Sequence, residues 1–264
     1  MPSPEELPLL THPLEDESAF TPEPLLEAVR AERGVEPGEI PKVCMLDFDG
    51  DLTDWLARTG RSSRSRNWAC FHTSMEIVEI DGAPLGVVGR TIGGPYAVLI
   101  AEQMLVSGAE VVVGLTSAGR VSDNLPLPSL VIPTRALRDE GTSFHYLPPS
   151  TWIDAPEGIA RLLSEELADV GLPIARGPVW TTDAPYRETA AQIERHAASG
   201  VLGVEMQAAS LFALAKAKQA SIGVVAHLTN ATDHEGEDFD KGHDELSFEI
   251  LKRISRAGRR ACSG

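Results

Sequence analysis

Val111-Val112-Val113-Gly114-Leu115-Thr116-Ser117-Ala118-Gly119-Arg120 decides the fold class. Its β-branched start reads as a central strand. Small hydroxyl residues and glycines at the carboxyl end of such a strand suit a ligand site in an α/β sheet, because amides and hydroxyls there can hold phosphate oxygens. Gly114–Arg120 therefore reads as a Gly-rich turn past the strand, serving either a ligand or a plain crossover. It is not a Walker loop, since no Gly-Lys-Ser/Thr follows.

Outward from this strand, helices and strands alternate. Upstream, Gly93-Gly94-Pro95 opens a helix over Tyr96–Val106, with proline suited to the first turn and Gly108 ending it. Met75–Ile80 and Leu85–Gly89 flank Asp81-Gly82, a tight-hairpin pair. Val43–Phe48 is a buried strand that runs into the acidic loop DFDGD. Downstream come strands at Leu130–Ile132, Ile174–Trp180, Val201–Val204 and Ile222–Leu228. Helices are expected at Pro156–Val170, Met206–Lys218 and Asp244–Arg259. The class is α/β with a mixed, strongly curved sheet. Residues 1–40 read as a proline-punctuated arm and a short helix, Leu25–Arg33, ended by Gly34; residues 41–264 read as one α/β domain.

The 264 residues carry 39 acidic and 23 basic side chains, a formal net charge of -16. A field of that sign disfavours nucleic acid and anionic membranes, and any anionic substrate needs a local cation. Three cysteines, Cys44, Cys70 and Cys262, form no zinc or disulfide framework and point to a reducing compartment. No metal is expected; the acidic stretch Asp233–Asp244 lacks an EF-hand pattern and reads as a mobile solvated lid. The N-terminus lacks the basic and apolar regions of a signal peptide, and no apolar run approaches the ~18 residues that a membrane span needs. The expected location is the cytoplasm.

Four further stretches carry chemistry. Gly93-Gly94-Pro95 lets a ligand approach the backbone at a helix start, where an anion or a polar sugar can sit. Gly203-Val204-Glu205-Met206-Gln207-Ala208-Ala209 places a carboxylate at a strand-to-helix junction, costly unless paired or ligand-bound; it could equally be a helix N-terminal charge. Asp183-Ala184-Pro185-Tyr186-Arg187 gathers an acid, an aromatic ring and a guanidinium, able to stack on a base and bond its edge, or to form a plain surface loop. His227-Leu228-Thr229-Asn230, followed by Asp233, ends a buried strand where catalytic groups often sit.

In this order and spacing, the Gly-Gly-Pro turn, the Thr-Ser-Ala-Gly run, the Val-Glu-Met-x-Ala-Ala helix start and the polar loop after the next strand resemble the uridine phosphorylase branch of the nucleoside phosphorylase and nucleosidase superfamily. The resemblance covers residues 41–255. It implies a single α/β domain with a central barrel-like sheet, a homo-oligomer (dimer or hexamer), and cleavage of a nucleoside N-glycosidic bond. The nucleophile would be inorganic phosphate, giving base and pentose-1-phosphate, or water; no other cofactor is implied. A non-catalytic nucleoside-binding protein on the same fold is the alternative.

The resemblance assigns phosphate or nucleophile binding to Gly50, Gly94, Thr116 and Ser117. Ribose falls to Glu205, Met206, Gln207 and His72, and the base to Gly119, Asp183, Tyr186 and Arg187. Thr229-Asn230 stands where purine-specific members carry their Ser-Asp pair, and Asp233 is nearby but shifted; Asn230 and Asp233 are the catalytic residues that the resemblance implies. Several positions depart from the family pattern. The first phosphate loop, Asp47–Asp54, has no arginine before Arg58. Gly114 occupies the place of a strand arginine, and a third arginine, lent by a neighbouring subunit, falls near Phe71 or His72. Gln207 replaces a second Glu. Arg120, Arg64 and Arg66 are the expected substitute cations.

Overall fold

The computed structural model describes residues 7–231 and 244–263. Ten strands form one mixed sheet: β1 (Val43–Asp47), β2 (Ser63–Arg64), β3 (Glu76–Ile80), β4 (Ala83–Gly89), β5 (Val111–Arg120), β6 (Ser129–Asp139), β7 (Trp152–Asp154), β8 (Ile174–Thr182), β9 (Gly203–Glu205) and β10 (Ser221–Ala231). Strand β5 pairs with both β10 and β9, so β5, β10, β6, β8 and β9 close into a five-stranded barrel. From β5 the sheet continues outward through β1, β4, β3 and β2, while β7 adds to β6. Neighbours β4, β1, β5 and β10 are mutually parallel and end on the same side.

Seven α-helices are described: α1 (Pro22–Arg33), α2 (Asp51–Arg58), α3 (Gly94–Val106), α4 (Glu157–Leu167), α5 (Ala190–Ala198), α6 (Ala208–Lys218) and α7 (Asp244–Cys262). The pleat sorts them onto two faces. Val112 points to the side of Ile100 and Met104 in α3 and Phe212 and Leu214 in α6. Val111 and Val113 point to the side of Leu163 in α4 and Leu251 and Ile254 in α7. Helix α6 is apolar nearly all round, with Ala208 to Ala215 buried, as an inner helix must be.

Three expectations need correction. The run Gly114–Arg120 is not a turn: β5 extends through Arg120, its partners on both sides satisfying the backbone. The stretch after β1 is not a plain loop either, for α2 starts at Asp51, one residue past Gly50. Its apolar positions Leu52, Trp55 and Leu56 recur at helical spacing and are buried. Helix α5 also lay inside what reads as loop and helixless sequence; Thr189 and Gln192 form a capping box at its start. The hairpin is as expected: Asp81 and Gly82 have φ of 53° and 74°, the two positive values that a type I′ turn requires.

Candidate active site

The strand ends bring most of the expected residues to one side of the barrel, as an α/β sheet does with its ligand sites. Glu205 closes β9 and is buried. Its Oε1 accepts from the Thr181 hydroxyl at 2.5 Å, and its Oε2 accepts from the amides of Gln207 at 2.7 Å and Ala208 at 2.8 Å. The carboxylate thus caps α6 from the preceding strand. A carboxylate offers about four lone-pair sites; these contacts use three and leave one acceptor for a ligand hydroxyl. Burial pushes its pKa up to about 7, against the opposing pull of the Thr181 hydroxyl and the two amides.

Gln207 is buried beside it, with Oε1 accepting from the Met206 amide at 3.2 Å and from the Thr116 hydroxyl at 3.4 Å. Thr116 also donates to the Ser117 carbonyl at 2.7 Å. Gly119 lies between β10 and β9, opposite Asn230 on one side and Val204 on the other. Asn230 is buried at the end of β10 and donates to the Thr229 hydroxyl at 2.8 Å. His227, also buried, is in register with Ser117. Asp233 lies outside the described residues, as does most of the stretch Asp233–Asp244.

Sequence reasoning missed Glu140, just past β6. It is buried, and its Oε2 accepts from Ser143 N at 2.9 Å and from the Ser210 hydroxyl of α6 at 2.6 Å. The signal was an acid followed by Gly141 at the end of a β-branched strand, the arrangement already noted at Glu205 in reverse. Gly94 belongs to this corner: a Cβ there would lie 2.2 Å from Ser210 Oγ and 3.3 Å from Thr142 Oγ1. The glycine lets α3 start against α6, on the Glu140 side of the site.

The turn expected to hold the nucleophile is differently made. Asp49 Oδ2 accepts the Ser117 amide at 3.0 Å. Asp47 is buried, accepts the Thr53 amide at 2.8 Å and hydroxyl at 2.7 Å, and is pushed by burial up to about 6. Gly50 has φ 85°, and a Cβ on it would sit 2.4 Å from Arg90 Cγ. Gly114 is a packing glycine: a Cβ there would meet the Phe48 ring at 2.5 Å, so the place of the family's strand arginine is filled by an aromatic edge. Of the expected substitute cations, Arg120 is held by the Leu125 carbonyl at 3.2 Å and by Asp123 at 3.3 Å. Arg64 stands exposed on the short edge strand β2, and Arg66 lies just past it.

The remaining expected residues are less gathered. Asp183 accepts the Gly141 amide at 2.8 Å, which ties the base loop to the Glu140 turn; burial raises its pKa, with Glu140 and Asp139 adding to the rise. Tyr186 is 100% exposed and Arg187 is exposed beside it. His72 stands on an exposed loop whose carbonyls at Cys70 and Phe71 accept from Arg33; no hydrogen bond among the described residues joins it to Glu205.

A cleft of about 1020 Å3 lies elsewhere, between the arm at His12 and Phe20 and the flank of α3 at Glu102 and Val106. We place the chemistry at the strand ends, because there buried carboxylates, hydroxyls and amides converge. Among the described residues no group of three or more His, Cys, Asp and Glu side chains is placed to hold a metal ion, and no helix is long and apolar enough to cross a membrane.

Comparison with known proteins gives this geometry a context. The profile of the phosphorylase superfamily matches residues 56–261. A guanosine phosphorylase of Halorubrum lacusprofundi is 26% identical over 239 residues, 85% of this chain and 93% of that protein. The uridine phosphorylase of Escherichia coli is 23% identical over 172 residues, 60% of this chain and 68% of that protein. The uridine phosphorylase of Thermococcus kodakarensis is 24% identical over 153 residues, covering 57% and 54%.

Proposed function

The chain belongs to the phosphorylase superfamily, and from that premise we propose that it cleaves the N-glycosidic bond of a nucleoside with inorganic phosphate, releasing base and pentose-1-phosphate. The observation that carries the reading is Glu205, a buried carboxylate with three internal hydrogen bonds and one acceptor site left. That is what a sugar hydroxyl needs. Met206 and Gln207 complete the sugar side. Thr116, Ser117 and Gly50 take the nucleophile. Gly119, Asp183, Tyr186 and Arg187 attend to the base. As the bond breaks, positive charge builds on the sugar ring and negative charge on the leaving base. Groups fixed before the reaction stabilise that separation without reorganising. In this reading Asn230, buried at the end of β10, donates to the departing base.

One observation favours water as the nucleophile. Asp49 already accepts the Ser117 amide, and a carboxylate there repels a phosphate dianion and can take a proton from water. We also expect a cytoplasmic homo-oligomer, supported by Leu99 and Val106, which lie seven residues apart on α3 and are both 41% exposed.

The test is incubation of the pure protein with a panel of nucleosides, with and without phosphate, reading free base and sugar product. Base released together with pentose-1-phosphate, and only when phosphate is present, is the expected result. Free pentose released without phosphate would transfer the reading to hydrolysis. No release from any nucleoside would favour the non-catalytic binding protein.

A further inference from the structure

A phosphorylase on this chain must hold a dianion against a net charge of -16, yet Gly114 packs on Phe48 and Arg120 is tied to Asp123 and Leu125. One arginine that sequence reasoning passed over stands beside the nucleophile loop. Arg90 follows the last residue of β4, and Gly89 is in register with Asp47 of β1. Its φ is 62°, in the left-handed region where a non-glycine residue is strained. Its amide donates to the Asp47 carbonyl at 2.9 Å, which fixes that backbone. Its side chain passes directly over Gly50, which can carry no Cβ because Arg90 Cγ is there. The bare Gly50 leaves the room that the Arg90 side chain fills over the loop.

The guanidinium pairs with Asp54, and both side chains are more than half exposed. An exposed pair of this kind adds little stability, so exchange of its carboxylate costs little. Arg–phosphate contacts are charge-assisted and can be bidentate. The neighbouring Ser117 amide is likewise occupied by a carboxylate, that of Asp49. Asp49 and Gly50 are adjacent in sequence, so the two occupied anion-binding groups, Ser117 N–H and Arg90, flank the same turn.

We propose that Arg90 is the phosphate-binding cation of this site, and that Asp49 and Asp54 occupy its two anion-binding groups until phosphate displaces them. The inference rests on the phosphorolytic reading. It makes the two aspartates competitors of the substrate rather than partners of it.

The test is calorimetric titration of the full chain with inorganic phosphate, beside the nucleoside panel. R90G keeps the left-handed backbone, so it folds where other replacements strain; thermal melting checks this. R90G should weaken phosphate binding at least about tenfold and R90K only partly, as expected for loss of a bidentate partner. D54N should tighten it by a few-fold. Unchanged binding in R90G, or no phosphate binding by the unaltered protein, overturns the assignment of Arg90. Unchanged binding in D54N overturns the competition. Phosphate binding that depends on Arg90 without base release from any nucleoside leaves this assignment standing and removes the reaction reading. Base release without phosphate binding overturns this assignment and transfers the reaction reading to hydrolysis.

Discussion

At Glu205 every hydrogen-bond partner is buried, whereas about the Gly50 turn the charged groups Asp54 and Arg90 are more than half exposed. The first region lies at the end of the closed barrel, where β8, β9 and the start of α6 meet. The second lies where the sheet leaves the barrel through β1 and β4. Water cannot compensate a missing partner at Glu205, so the chain supplies each bond itself and the region is formed before any ligand arrives. At Arg90 water is always an alternative, so pairs there can be exchanged. The proposed sugar end is fixed by its internal bonds, and the proposed nucleophile end is exchangeable by exposure.

The sharpest way to break this contrast is Glu205→Ala. Three donors, from Thr181, Gln207 and Ala208, would lose their acceptor in a dry place. Stability should fall by about 2–3 kcal/mol, the order expected for unpaired buried donors. Turnover of a nucleoside should fall at least about 100-fold, because the sugar is no longer held in register. Denaturant melting and kcat/KM measure the two losses separately. A variant with intact turnover would mean that the sugar does not sit here.

Glu205→Gln sharpens the same contrast through pH. Burial raises the Glu205 pKa from 4.5 to about 7. The folded chain therefore holds a proton that the unfolded chain has lost between those values, and stability falls as pH rises through that window. The full difference is about 3 kcal/mol at one pKa unit per 1.36 kcal/mol. Asp47 acts with the same sign between 3.8 and about 6. Gln keeps the shape and cannot titrate, so the Glu205 part of the slope should vanish and the Asp47 part remain. Melting temperatures from pH 4 to 8 would show wild type falling relative to the variant. Parallel curves would mean that Glu205 is not charged at a cost in the fold.

Much of the fold was legible because the strands carry β-branched runs and the helices carry caps: Gly34, Gly108 and the Asp81-Gly82 turn all act locally. The barrel was legible only through family resemblance. Closure depends on β5 pairing with both β9 and β10, and no residue of β5 announces its second partner. For the same reason Gly114–Arg120 read as a turn: small residues look like loop until long-range pairing claims them. Helix α2 was hidden because its apolar positions are only Leu52, Trp55 and Leu56, interrupted by acids. At the site, Glu205 and Gln207 could be named because they stand two positions apart in one short motif. Glu140 and Arg90 could not, since each matters through a distant residue, Ser210 in one case and Gly50 in the other.

The smallest effect is expected at the base loop, where the two plans meet. Asp183 is anchored on the Gly141 amide, but Tyr186, three residues on, is wholly exposed. A side chain in that position adds nothing to the core, so Tyr186→Ala should change stability by less than about 0.5 kcal/mol. If the ring closes over a bound base, the same change should raise the nucleoside KM by about three- to tenfold, the order of an aromatic contact of 0.5–1.5 kcal/mol. Tyr186→Phe should restore it, since stacking needs the ring and not the hydroxyl. A KM unmoved by either change would place base recognition elsewhere and leave Asp183 as a strut of the Glu140 turn. A KM that moves while stability does not would put the base loop with the exchangeable end of the site, shaped by the ligand rather than by the fold.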